Sequence, residues 1–318
     1  MSKAQPETLL INFISEIELL TWRHYFDRHF PDLHIALWDD PCIDPASVSY
    51  VLVWKPEPGR LAQFPNLRVI MSEAAGVDHI TCDPLLPRHV PMTRMVTRET
   101  SARMADYVTM AAYMLTRQMP EILHAQRHQR WESRLTGRLA SDTCAGILGF
   151  GELGAVVARR LLANGFKVNS WSRRRKNVEG VASYSGQPEL ASFLQRSQIL
   201  VNLLPNTAET RGIIDDRLLS QLPAGAGVIN AGRGHQLNAE ALLRSLESGQ
   251  VKGAVLDVFA QEPLPADDPL WRHPGVIVTG HVASLISAES KAEQAIAIIN
   301  ADRAGSPLPL LYNHELGY

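Results

Sequence analysis

The chain has 318 residues, 45% hydrophobic and 20% charged, and its 31 Lys and Arg against 33 Asp and Glu leave a net charge of −2 at pH 7. This composition excludes a disordered polymer and any overall basic field for nucleic acid or an anionic membrane surface, and the length suggests about two domains. Cys42, Cys82 and Cys144 are too few and too dispersed for a disulfide framework or zinc knuckle; no run approaches the ~20 apolar residues of a membrane span, and the opening residues lack a signal-peptide pattern, so a cytoplasmic location is expected.

The first apolar run, Thr8-Leu9-Leu10-Ile11-Asn12-Phe13, is predicted to be a buried strand, and residues 16–30 a helix closed by Pro31. Residues 34–38, 49–54 and 67–71 read as further strands, the alternation of a small parallel α/β domain. Two turns follow strands here, where open α/β sheets place ligands: Trp54, and the stretch Glu73-Ala74-Ala75-Gly76-Val77-Asp78. Taken alone, Trp54 also fits a core aromatic, and Gly76 an ordinary turn glycine. Residues 100–117 are predicted to be helical with Met104, Val108, Ala111 and Leu115 on one face, a pattern that suits either packing within the chain or a dimer surface. His124 and His128 stand four apart on the next predicted helix, but no third ligand or H-E-x-x-H pattern accompanies them, and no metal is expected.

The stretch Ala145-Gly146-Ile147-Leu148-Gly149-Phe150-Gly151-Glu152-Leu153-Gly154 organises the rest. An apolar strand breaks into G-x-G-x-x-G and then becomes a helix with Leu153, Val156, Val157 and Leu161 on one face, stopped at Asn164-Gly165 and followed by a second strand at 166–171. The string alone occurs in many loops; within a βαβ unit it makes a dinucleotide site. Gly149 forms the turn, Gly151 lets backbone approach a pyrophosphate, Gly154 permits close helix packing, and the helix N-terminus faces the phosphates. An NAD site usually carries an acid after the second strand, whereas this chain has Ser172-Arg173-Arg174-Arg175-Lys176. Guanidinium groups match a 2′-phosphate in charge and geometry, so NADPH is expected over NADH, the alternative being a plain solvated turn.

Four more apolar runs, at 199–205, 228–230, 254–257 and 276–279, extend the cofactor sheet, with a capped helix at 238–248. Each run ends in a polar or special residue: Pro205, Arg233 just beyond Asn230, Asp257, and His281. In a doubly wound sheet these ends face one crevice. Residues 284–302 read as a helix, and the tail from 307 is expected to return to the first domain. The architecture predicted is α/β: a doubly wound parallel-sheet (Rossmann) cofactor domain, residues 98–283, inserted in a smaller flavodoxin-like α/β substrate domain, residues 1–97 and 284–318.

These residues resemble the D-2-hydroxyacid dehydrogenases, and within them the glyoxylate/hydroxypyruvate reductase A branch. The likeness extends over nearly the whole chain. It is densest in G-F-G-E-L-G, Leu203-Leu204-Pro205-Asn206-Thr207 with Thr210, Asn230-Ala231-Gly232-Arg233-Gly234, Leu256-Asp257-Val258-Phe259, Glu262-Pro263-Leu264-Pro265 and Gly280-His281-Val282-Ala283. The resemblance implies reduction of a small 2-oxo acid, glyoxylate to glycolate or hydroxypyruvate to D-glycerate, with NADPH, by a homodimer with an interdomain cleft. Arg233 is then the clamp on the substrate carboxylate, His281 the proton donor, and Glu262 the partner that orients the imidazole and favours its charged form. It also implies cofactor contacts at Gly149, Gly151, Glu152, Leu153, Gly154, Ser172, Arg173, Arg174, Leu204, Pro205, Ala231 and Asp257. Substrate contacts are implied at Trp54, Ala75, Gly76, Val77 and Arg233.

Three positions depart from the family pattern. Gly232 stands where Ala or Ser is common, so a looser Arg233 loop is expected; Gly280 replaces a proline and removes a φ restraint before His281; and Leu316-Gly317-Tyr318 keeps only part of the branch's ending. Two other readings stay open on sequence alone: a larger relative such as a phosphoglycerate dehydrogenase, and a non-catalytic NAD(P)-binding regulatory protein, which needs no Arg, Glu and His at those strand ends.

Overall fold

A computed structural model describes residues 7–317; Met1–Pro6 and Tyr318, the outer ends of the expected substrate domain, lie outside the described residues. The chain divides into two compact units, residues 7–99 with 286–317, and Thr100–Leu285. The sequence reading places these divisions two residues earlier, at 97/98 and 283/284.

The first unit opens with β1 (Thr8–Ile11), α1 (Glu16–Asp27), β2 (His34–Leu37), β3 (Val48–Val53), β4 (Val69–Ser72), α2 (Asp78–Thr81) and β5 (Met92–Thr93). All five strands are parallel in the order β2-β1-β3-β4-β5, the flavodoxin-like arrangement. Ser15 and Glu18 form a reciprocal capping box at the start of α1, and Trp22 and Phe26 are buried beneath it. The helix ends at Asp27 rather than at Phe30, because Pro31 restricts the residue before it and the chain unwinds ahead of that point.

The second unit begins within α3 (Arg98–Thr116) and continues through α4 (Met119–Arg127), β6 (Cys144–Leu148), α5 (Glu152–Ala163), β7 (Lys167–Ser172), β8 (Val181–Ser185), α6 (Gly186–Leu194), β9 (Ile199–Asn202), α7 (Asp216–Leu219), β10 (Ala226–Asn230), α8 (Ala239–Glu247), β11 (Val251–Leu256) and β12 (Val276–Val278). Seven parallel strands run in the order β12-β11-β10-β9-β6-β7-β8, so the winding reverses between β6 and β9. That reversal opens a crevice at the carboxyl ends of the strands. Two apolar clusters cover the two faces of the sheet. Met104, Val108 and Ala111 of α3 lie in one of them beside Ile147, Val157 and Val201, so this face of the helix packs within the chain. Each fully buried Val, Ile or Met side chain contributes roughly 1.5–3 kcal/mol.

The chain then returns to the first unit as α9 (Ala288–Arg303), capped by Ser287 rather than starting at residue 284. Ala292, Ala295 and Ile299 join Leu9, Trp22 and Phe26 in its core. Tyr50 Oη donates to Asp302 at 2.7 Å, and Arg303 pairs with Glu7 at 2.6 Å. No helix of the described residues is long and apolar enough to cross a membrane.

Candidate active site

The dinucleotide turn stands between β6 and α5. Gly149 has φ +95°, and a Cβ there would lie 2.6 Å from the Leu203 carbonyl, so only glycine fits beside the β9 exit. A Cβ on Gly151 would meet nothing within 4 Å, which leaves room for a pyrophosphate against the backbone. Gly151 caps α5 without a side-chain bond, so the first N–H groups of the helix have no side-chain cap. Glu152 is exposed and Leu153 half-buried at this end, while Leu204 and Ala231, at 7% exposure each, form wall, with Pro205 half-buried beside them. These residues fit a bound dinucleotide.

The basic turn follows β7. Ser172 Oγ donates to the Arg174 carbonyl at 2.7 Å, which tightens the turn and leaves the side chains of Arg173 and Arg174 exposed. Arg173 faces Glu209 at 3.6 Å. Arg175 is committed elsewhere, to Glu189 at 2.6 Å and the Ser183 carbonyl. The exposed Arg173 and Arg174 therefore supply the cationic character on this side.

At the ends of β10, β11 and β12 the structure brings Arg233, Glu262 and His281 into one region. His281 Nδ1 bonds Glu262 Oε2 at 2.8 Å, and the other carboxylate oxygen accepts the Phe259 N–H at 2.9 Å. Burial by itself raises the Glu262 carboxyl; the bonds from His281 and Phe259, with the nearby charges of His281 and Arg233, outweigh it and hold the group below the ordinary carboxylate value. The Arg233 loop reaches this region because Gly234 has no side chain. A Cβ there would lie 1.8 Å from the Phe259 carbonyl carbon. Arg233 Nη1 also donates to the Gly232 carbonyl at 2.9 Å.

His281 is a left-handed residue, φ +57°, in a turn without a glycine at that position. Such a conformation costs about 1–2 kcal/mol, and Asp257 holds it in place. The Asp257 carboxylate is 1% exposed and accepts the Thr279 hydroxyl (2.6 Å) and the Val282 and Ala283 N–H groups (2.9 Å each), while its backbone carbonyl accepts the His281 N–H at 2.8 Å. Tyr107 of α3 completes the chain, its hydroxyl 2.8 Å from Thr279 Oγ1. Asp257 thus anchors the histidine turn with both oxygens. Sequence reasoning missed Thr279 and Tyr107, for which no motif exists. A Cβ on Gly280 would meet nothing within 4 Å, and Asp257 bonds the residues on either side of it, Thr279 and His281.

In the first unit, Ala75 and Gly76 are half-buried and Val77 is buried, in a turn held by Ser72 Oγ, which accepts the Ala74 N–H (3.1 Å) and donates to the Gly76 carbonyl (3.2 Å). Trp54 is half-buried rather than a core residue; its ring lies 4.0 Å from that of His79, and its backbone N–H donates to Asn12 Oδ1 at 2.7 Å. The His124 and His128 rings pack 4.2 Å apart, and His128 Nδ1 bonds the His124 carbonyl. Among the described residues no group of three or more His, Cys, Asp or Glu side chains converges as a metal site would require.

Residues 109–283 match the model of the D-isomer specific 2-hydroxyacid dehydrogenase NAD-binding domain. A glyoxylate/hydroxypyruvate reductase A of Yersinia enterocolitica is 38% identical over 293 residues, which cover 91% of this chain and 93% of that protein. The crystal structure of a D-isomer specific 2-hydroxyacid dehydrogenase from Xanthobacter autotrophicus Py2, in complex with NADPH and MES, superposes with TM-score 0.91 at 36% identity, covering 99% of this chain and 100% of that one. An NADPH-dependent glyoxylate/hydroxypyruvate reductase from Sinorhizobium meliloti, in complex with NADP and sulfate, gives TM-score 0.90 at 34% identity, with 98% and 100% coverage.

Proposed function

The chain belongs to the D-isomer specific 2-hydroxyacid dehydrogenase family, and from that premise we propose that it reduces glyoxylate to glycolate and hydroxypyruvate to D-glycerate with NADPH. Membership makes it an NAD(P)-dependent oxidoreductase. The observation that carries the substrate reading is the His281–Glu262 bond at a strand end that the Arg233 loop also reaches.

The dinucleotide supplies a hydride when bound, held by the Gly149–Gly154 turn, Leu204, Pro205 and Ala231, with Ser172, Arg173 and Arg174 toward the 2′-phosphate. Arg233 pairs with the substrate carboxylate and polarises the adjacent carbonyl. Because Nδ1 of His281 is taken by Glu262, proton delivery to the carbonyl oxygen falls to Nε2. The Glu262 carboxyl, held below the ordinary carboxylate value, stays an acceptor for the imidazole and orients it. In the first unit the proposed substrate contacts are the amides of Ala75-Gly76-Val77 and the Trp54 ring. The proposal includes a homodimer, by likeness to the family, and a cytoplasmic location, supported by three free cysteines.

The test follows nicotinamide absorbance with glyoxylate and with hydroxypyruvate, NADPH and NADH in parallel. Turnover with NADPH is expected. No turnover with either cofactor removes the reductase reading, whereas a preference for NADH removes only the role given to the arginine turn. Light scattering on the same sample reads the dimer.

A further inference from the structure

We propose that Gln236 is a positioning residue that sets the Arg233 loop and locks it to the cofactor-side turn at Leu204-Pro205. The proposal rests on Arg233 being the substrate clamp.

Gln236 lies in the single helical turn Gly234–Gln236 directly after Arg233 and is fully buried. Its Oε1 accepts the Arg233 backbone N–H at 2.9 Å and Asn202 Nδ2 at 2.6 Å. Its Nε2 donates to the carbonyls of Leu204 (3.0 Å) and Pro205 (2.8 Å). Asn202 and Asn230, also fully buried, close the net: Asn202 Nδ2 donates to Asn230 Oδ1 at 2.8 Å, Asn202 Oδ1 accepts the Leu204 N–H at 3.2 Å, and Asn230 Oδ1 accepts the Gly232 N–H at 3.3 Å. Three amides therefore join the exits of β9 and β10. Both ends of the Gln236 amide are used, one on the arginine loop and one on the cofactor-side turn. A satisfied buried network of this kind fixes relative position, because any shift strands a polar group away from water.

Gly232 is part of the same device. A Cβ there would lie 2.6 Å from Gln236 Oε1 and 2.8 Å from Asn202 Nδ2, closer than packed atoms approach. The glycine was expected to loosen the loop; instead it makes room for the amides that pin it. The lost side chain at 232 and the amide at 236 are one feature, and together they couple substrate clamp to cofactor wall.

Steady-state kinetics and NADPH fluorescence titration on folded variants test this, with circular dichroism as the folding check. Gln236→Leu is expected to raise both the KM for glyoxylate and the Kd for NADPH about tenfold, since it removes the bond to Arg233 on one side and the bonds to Leu204 and Pro205 on the other. Gln236→Glu keeps the acceptor toward Arg233 and loses the donor toward Leu204 and Pro205. Its glyoxylate KM should stay near that of the parent, while its weakened NADPH binding recovers as pH falls and the buried carboxyl regains a proton. A side chain that merely fills space gives neither the split nor the recovery. Gly232→Ala should cost less in a Gln236→Ala background than in the parent. Unchanged constants in Gln236→Leu, parallel losses without pH recovery in Gln236→Glu, or additivity of the last pair overturns the proposal. Arg233→Ala is measured alongside: retained turnover there removes the clamp assignment itself, while lost turnover there with an unaltered Gln236→Leu enzyme overturns only the positioning role.

Discussion

Thr279→Val removes one hydroxyl from the turn that presents His281 and keeps its shape. In the parent, Thr279 donates to Asp257 Oδ1 at 2.6 Å, which obliges the Tyr107 hydroxyl, 2.8 Å away, to donate to Thr279. Burial raises the Tyr107 phenol well above its ordinary range, its bond with Thr279 opposing and the charge of Asp257 adding, so it remains a donor at any working pH. The substitution costs Asp257 a charge-assisted bond, worth about 1.5–3 kcal/mol, and leaves a phenol at 7% exposure without its acceptor, a further ~1–3 kcal/mol that overlaps the first. A net loss of about 3 kcal/mol lowers the melting temperature by roughly 6–12 °C for a unit of this size. The left-handed backbone of His281 then has less holding it, so kcat should fall while the KM for the acid changes little. Differential scanning calorimetry and steady-state kinetics read both effects, and Tyr107→Phe with the double variant completes a cycle. A melting temperature within about 1 °C of the parent, or strictly additive losses in the double variant, refutes the reasoning.

Arg173→Asp should shift the ratio of kcat/KM for NADPH over NADH by about tenfold or more toward NADH, since it replaces a guanidinium with a carboxylate at an exposed turn. Glu262→Gln tests the sign of a pH effect. The Glu262 carboxyl is held below its unfolded value, so its contribution to stability is present above the ordinary carboxylate range and is lost as pH falls through the lowered folded value. The melting-temperature gap between parent and Glu262→Gln should therefore be full near neutrality and close in acid. Cys42 and Cys82 are exposed free thiols, whereas burial pushes the Cys144 thiol up to about 11, with Lys167 and Arg196 only partly opposing. Native protein treated with a thiol reagent at pH 8 should gain two labels by mass spectrometry, and denatured protein all three, a pattern that labelling of Cys144 in the native state would contradict.

Much of the cofactor unit can be read from the chain because its signals are local. The turn at Gly149, the stripe of Leu153, Val157 and Leu161 on α5, and the apolar runs of β9 to β11 each reflect the period or turn chemistry of one element. β8 escaped notice for the same reason: it is a sheet edge whose residues are half-buried or exposed on both faces, so Val181-Ala182-Ser183-Tyr184-Ser185 carries no alternation. The short helices α6 and α7 also left too little periodic pattern to find.

What the amino-acid sequence determined alone was the order of the longer elements, the dinucleotide turn and the cationic replacement after β7, with Arg233, Glu262 and His281 as candidates once the family resemblance was added. Tertiary structure decided which groups hold them. Tyr107 and Thr279 are 172 residues apart, and Asn202 and Gln236 are 34 apart; they meet only because α3 packs on the sheet and β9 lies beside β10. A hydrogen bond between strand ends depends on strand order and register, and neither is written in the spacing of residues along one element.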